Sequence, residues 1–192
     1  MRHCVLSACL CFLLLAAPAA ADEPRQATAR IPASDRLEQL FADLKQETNE
    51  AAARRIAERI REEWLRSGGE TADLLIEWAR AAVSEEKYHV ALDLLDEVTV
   101  LYPDFVEGWS SRALVHLMMD DYDRAMADLS RALAIEPRHF GALSGLAGIL
   151  RAVGREEEAL AVYRRMLEIY PMQRSAQRAV MRIVEERTDE RL

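Results

Sequence analysis

The apolar positions of this chain recur with two nested periods. Over short stretches they return every three or four residues. Trp109, Ala113 and His116 fall on one stripe, and Ala125, Leu129, Ala132 and Leu133 fall on another. That spacing gathers side chains on one face of a helix. Over longer stretches the whole pattern returns every 34 residues. Pro103, Pro137 and Pro171 keep this spacing, as do Ala91, Ala125 and Ala159, and Ala79, Ala113 and Ala147. Leu75, Trp109 and Leu143 follow, with Leu95, Leu129 and Tyr163, and Leu101, Ile135 and Ile169. Six series in one register predict a repeated helix–turn–helix unit.

The residue types explain how such a unit closes. Two antiparallel helices approach closely only where one side chain is small, which accounts for alanine at the shared positions. A large neighbour fills the space beside it. Asp120 and Asp121 supply the turn inside the second unit. Proline at the end of each unit cannot continue a helix, so the chain turns into the next hairpin. The prediction is an all-α protein, an α-solenoid of stacked antiparallel hairpins with helical caps.

Residues 72–105, 106–139 and 140–173 resemble three tetratricopeptide (TPR) repeats. "WSSRALVHLMMDDYDRAMADLSRALAIEP" is similar to that family's pattern, and "ALAVYRRMLEIYP" repeats its second half. Some positions depart from it. Arg112 stands where an apolar residue is usual, Val98 and Met166 replace a small residue, and Ala82 replaces an aromatic or leucine.

A stack of repeats has to hide its terminal apolar faces. Leu37, Leu40, Phe41 and Leu44 predict one amphipathic helix, and Ile56, Ile60 and Trp64 predict a second, ended by Gly68 and Gly69. This hairpin, residues 34–69, is expected to be a degenerate repeat sealing the N-terminal side. Ala176, Val180, Ile183 and Val184 stripe a final helix over 174–188, expected to lie on repeat three as the C-terminal cap.

The first residues are of another kind. Arg2 gives a positive start, Val5 to Ala17 is apolar apart from Ser7, and Pro18 breaks the run before Ala19-Ala20-Ala21. That is the layout of a secretory signal over residues 1–21, with cleavage expected between Ala21 and Asp22. Residues 22–33 then read as a polar linker. The apolar run is too short to cross a bilayer, so no integral membrane span is expected after cleavage. The expected location is the periplasm or outside the cell. All three cysteines (Cys4, Cys9 and Cys11) fall in the signal. Disulfides, thiol nucleophiles and thiolate metal sites are therefore not expected beyond it. A net charge of −8 disfavours a nucleic-acid partner. A strong bias to arginine over lysine fits a bacterial source of high GC content.

No catalytic, cofactor or metal site emerges. His89, His116 and His139 occupy three different repeat positions, without ligand spacing. His116 reads as a packed core histidine. Asp120-Asp121-Tyr122-Asp123 lacks the glycine and distal glutamate of a calcium loop. Glu156-Glu157-Glu158 reads as a solvated helix start favoured by the helix dipole. Arg112 has to pair or snorkel at a position that normally faces the core. The expected partners are Glu77 or Asp96.

The resemblance implies that the first helix of each repeat lines a concave face. The residues expected to meet a partner are Ile76 and Arg80 from repeat one, and Ser110, Leu114, Leu117 and Met118 from repeat two. Repeat three is expected to add Ser144, Gly145, Gly148 and Arg151. Family members that clamp a C-terminal carboxylate use basic and amide residues at positions matching Ile76, Arg80, Ser111, Gly141 and Gly145 here. Only Arg80 is basic, so no such clamp is expected. The groove suits a helix or extended segment with apolar side chains, its acidic groups oriented by Arg80 and Arg151. "HFGALSGLAGIL", residues 139–150, bares one helix face over Gly141, Ser144, Gly145, Gly148 and Ala152. Interior glycines cost roughly 1 kcal/mol each relative to alanine. The stretch is therefore expected to admit another backbone, either a capping helix or a bound segment.

These features predict a non-enzymatic interaction adaptor of the bacterial cell envelope, with a protein or peptide partner. Two rival readings stand beside it. One is a self-assembling structural protein, a homo-oligomer built through the final helix or the groove. The other is a factor for assembly or maturation of envelope proteins.

Overall fold

Alanine facing a bulky residue across each hairpin sets the spacing of the whole array. The computed structural model describes residues 33–66 and 69–189. Among them are nine α-helices and no strands. These are α1 (Ala33–Gln46), α2 (Glu50–Leu65), α3 (Glu70–Ser84), α4 (Tyr88–Leu101), α5 (Val106–Met118), α6 (Tyr122–Ile135), α7 (Phe140–Ala152), α8 (Glu156–Ile169) and α9 (Arg174–Asp189). The fold is an all-α solenoid. Helices α3–α4, α5–α6 and α7–α8 are the three repeat hairpins, and α9 stacks on α8. The expected signal segment, the expected Ala21–Asp22 junction and the expected linker up to residue 32 lie outside the described residues. Residues 31–192 make one compact unit.

The shared alanines are buried throughout, Ala79 against the Ala91 helix, Ala113 against Ala125 and Ala147 against Ala159. The turns inside the hairpins also obey the period. Counting each repeat from Ala72, Val106 and Phe140, position 15 is Glu86, Asp120 and Gly154, with φ of 59°, 58° and 76°. The next N–H then donates back to the carbonyl at position 11: Lys87 to Ala82, Asp121 to His116 and Arg155 to Leu150, at 2.9, 2.9 and 2.7 Å. This is the Schellman closure of a helix end. Only repeat three uses the residue that adopts a left-handed φ without strain. Asp121 also caps α6, its Oδ1 accepting from the Arg124 N–H at 3.2 Å.

The closing prolines do a second job. Their carbonyls accept hydrogen bonds from the next repeat. Trp109 Nε1 donates to Pro103 at 2.9 Å, Arg165 to Pro137 at 2.7 Å and Gln177 to Pro171 at 2.7 Å. Each repeat is thereby tied to its predecessor at one edge.

The α1–α2 hairpin sits elsewhere than its expected place at the N-terminal end of the stack. It turns back along the edge where one repeat passes into the next, with α1 on α8 and α2 on α5. Its apolar stripe is the reason. Trp64 lies with its ring centroid 4.2 Å from His139 and 4.9 Å from Phe140, and 6.0 Å from Phe41 of its own hairpin. Phe140 in turn meets Tyr170 edge-on. Burying so many large rings at one place outweighs what α3 offers. Ion pairs fix the rim: Arg138 grips Glu38 through two bonds of 2.7 and 2.9 Å, and Arg174 meets Glu50 at 2.9 Å. Arg138 holds the Glu38 carboxyl below the usual carboxylate range. The core divides accordingly. One cluster joins the hairpin to repeats two and three and α9, and a second belongs mainly to repeat one.

Candidate functional site: the concave groove

The helical stripes predicted to face one wall do converge. Helices α3, α5 and α7 line a groove of about 670 Å³. Ile76 and Arg80 enter it from α3, Ser110, Leu114 and Leu117 from α5, and Ser144, Gly145 and Gly148 from α7. Met118 and Arg151 were expected there and do not line it. Met118 is exposed at the end of α5, and the half-buried Arg151 has a buried Nε without a hydrogen-bond partner. Both sit one helical turn past the floor of the groove, which the three glycines have already opened.

The glycine face is open. A Cβ built on Gly148 would meet nothing within 4 Å, and one on Gly145 would first meet the side chains of Leu129 and Leu117. One on Gly141 would meet the His139 ring at 3.2 Å. No backbone from any described residue, α9 included, approaches this face. Of the two occupants expected there, the capping helix is the one the structure removes.

The polar groups divide into tied and untied ones. His139 caps α7, its Nδ1 accepting from the Ala142 N–H at 3.0 Å. That leaves the proton on Nε2, which lies 3.3 Å from Glu107 Oε1. Glu107 is thus committed to the wall. Arg80 is exposed and makes no ion pair with a described residue. A second cation escaped sequence reasoning altogether. Arg61, from the turned-back hairpin, closes one end of the groove with Gln173. Its guanidinium lies 4.9 Å from the Phe140 ring centroid and pairs with Glu58. Nothing in the sequence of α2 marks Arg61 among its neighbouring arginines. Phe140 was a signal of sorts, an aromatic at repeat position 1, where repeat one has Ala72.

Arg112 is outside the groove and structural. Its guanidinium grips buried Asp128 at 2.8 and 2.6 Å, reaches Asp96 at 2.7 Å and Thr99 Oγ1 at 2.8 Å, and stacks on Trp109. Asp96 was an expected partner, but Glu77 is not one, and Asp128 makes the larger contribution. Bonds to Asp128 raise the Arg112 pKa further above its ordinary value. His116 is buried beside the same carboxylate. Among the described residues, no group of three or more His, Asp or Glu gathers as metal ligands. No helix among them is long and apolar enough to cross a membrane.

A concave wall built from the first helices of stacked hairpins defines an α-solenoid repeat protein. Models of the tetratricopeptide repeat match residues 76–136 and 116–183. A TPR repeat-containing protein of Rhizobium etli is 45% identical over 150 residues, covering 78% of this chain and 74% of that protein. The chain belongs to the tetratricopeptide repeat family. Among solved structures, the first TPR of Spaghetti (RPAP3), bound to the HSP90 peptide SRMEEVD, is similar over 62% of this chain and 94% of that one. Its TM-score is 0.59 at 23% identity. The Arabidopsis OM64 TPR domain gives 0.57 at 21%, covering 61% and 97%. Family membership carries a general role, since TPR domains mediate protein–protein contacts and are as a class non-enzymatic.

Proposed function

We propose that this chain is an exported adaptor of the bacterial cell envelope that holds a partner's peptide segment in its concave groove. The observation that carries the reading is the groove itself: eight of the residues that the family resemblance pointed to line one cavity of about 670 Å³. Its floor is apolar and glycine-bare. Its untied charge is Arg80, while Arg61 is already paired with Glu58, so the segment that fits is apolar with an acidic group facing Arg80. The RPAP3 neighbour, solved with an acidic peptide bound, supports a peptide in this place. The departure from the clamp positions argues for contacts along the segment rather than at its terminal carboxylate.

Photo-crosslinkers at Leu114 and Gly148 in living cells test it. Both positions are expected to trap the same adduct, and exposed Arg164 on the far helix of repeat three is expected to trap none. Gly148→Trp fills the groove from a site with free space and is expected to abolish the Leu114 adduct while the protein keeps its melting temperature. Equal adducts from Arg164, or none from the groove, overturn the reading. Export has its own test. N-terminal sequencing of the protein recovered from the periplasm is expected to begin at Asp22, and recovery from the cytosol alone, with Met1 in place, overturns it.

A further inference from the structure

Every first helix after α3 lies against the second helix of the repeat before it. Positions 3, 7 and 10 make that contact. In α5 they are Gly108, Arg112 and Val115. In α7 they are Ala142, Leu146 and Ile149, and in α9 they are Ala176, Val180 and Ile183. All nine are buried or half-buried. In α3 the same positions are Leu74, Trp78 and Ala81, and no helix among the described residues covers them, because the hairpin expected there has turned back to repeats two and three. Leu74 is 43% exposed and Trp78 52%. Position 26 agrees. Arg131 and Arg165 reach back from it to the preceding proline carbonyl, whereas repeat one carries Glu97.

The opposite end also carries an open apolar face. Helix α9 is a first helix, and no second helix packs on it among the described residues. Positions 8 and 11 face the hairpin partner, and they are buried in all three repeats. In α9 they are Met181, 60% exposed, and Val184, 44% exposed. Charge differs in sign between the two ends. Helices α3 and α4 together hold six acidic residues and one arginine. Helix α9 holds four arginines and three acids, with three of the arginines and none of the acids in its first nine residues. Arg178 and Arg182 are exposed and pair with no described residue, and the same holds for Asp93 and Glu97.

We propose that the occupant of each end is a second copy of this chain. The Met181–Val184 stripe of α9 seats on the Leu74–Trp78 face of the next copy, with Arg178 and Arg182 set against Glu97 and its acidic neighbours. The contact is heterologous, one end against the other, so it extends into rows rather than closing a two-fold dimer. The groove uses a different stripe of α3, α5 and α7 and stays open in every copy, so this association stands or falls apart from the peptide-binding reading.

Sedimentation velocity of residues 22–192, which include the whole compact unit, tests it across micromolar to near-millimolar concentrations. The expected result is a mass that grows with concentration past two chains and falls at high salt. Trp78→Glu and Val184→Glu, both at exposed sites, are each expected to hold the protein at the mass of one chain with unchanged circular dichroism. An equimolar mixture of the two retains one intact head and one intact tail, and is expected to give a two-chain species and nothing larger. Glu97→Arg weakens association, and mixing it with Arg182→Glu is expected to restore growth past two chains, because both junctions between the two variants are then charge-matched. A one-chain mass for the unsubstituted protein at every concentration overturns the proposal. So does a dimer that survives Val184→Glu, which means two-fold pairing through α3. Protection of Trp78 from a fluorescence quencher in the single chain also overturns it, because a segment of the same chain then covers the face.

Discussion

Repeats one and two obey one 34-residue grammar, yet the same positions meet different surroundings in them. Position 3 is Gly108 in repeat two, where a Cβ would stand 2.7 Å from Val98 of the preceding helix. In repeat one it is Leu74, half open to water. Position 7 is Arg112 in repeat two, locked between Asp96, Thr99 and Asp128. In repeat one it is Trp78, 52% exposed, with no described helix packed over it. Position in the period thus fixes the direction of a side chain, while its energetic weight depends on whether a neighbouring unit arrives to cover it.

Substitutions sharpen that contrast, and the largest effect is expected where the most apolar surface is covered. Trp64→Ala empties the ring cluster with His139 and Phe140 and is expected to cost about 3–5 kcal/mol. Hydrogen exchange should then show α1 and α2 released while repeat one keeps its protection, because repeat one packs in a separate cluster. Trp78→Ala removes an equally large side chain from the open face. It is expected to cost less than about 1 kcal/mol in the single chain. Equal losses would break the comparison.

Next comes Arg112→Leu, which leaves the Asp128 carboxylate buried and unpaired. A loss of about 3 kcal/mol is expected by chemical denaturation, and adding Asp128→Leu should recover most of it. An unchanged midpoint for the single variant would show the cluster to be idle. Gly108→Ala forces Val98 aside at the covered junction and is expected to cost about 1–3 kcal/mol. Leu74→Ala at the equivalent open position should cost less than about 1 kcal/mol. The smallest effects lie in the turns. Gly154→Ala is expected to lose about 1 kcal/mol, and Glu86→Gly, at the matching left-handed position, to gain up to about 1 kcal/mol. Thermal denaturation reads both, and a gain from Gly154→Ala would contradict the shared geometry.

Much of this was readable before any coordinates. The alanine series, the prolines and the turn acids marked out the hairpins, and the family resemblance named eight residues that line one cavity. Asp96 was named as a partner of Arg112. What escaped was contact between elements out of register. Asp128 joins Arg112 only where three helices meet. Arg61 reaches the groove only because its helix crosses the array. Met118 was assigned by the family resemblance and Arg151 by its charge beside the bare helix face, and neither says where a groove stops.

By itself, the sequence determined the repeat, its register, and the faces that each helix turns inward and outward, because those follow from periods of 3.6 and 34 within contiguous stretches. Only the tertiary structure decided where the N-terminal hairpin docks, and with it which end is left open and what lines the groove. The hairpin keeps no 34-residue register. Its site was chosen by competition between distant aromatic surfaces, Phe140 and Tyr170 on one side and the bare face of α3 on the other. That competition depends on the buried area of the assembled pieces, which no local pattern encodes.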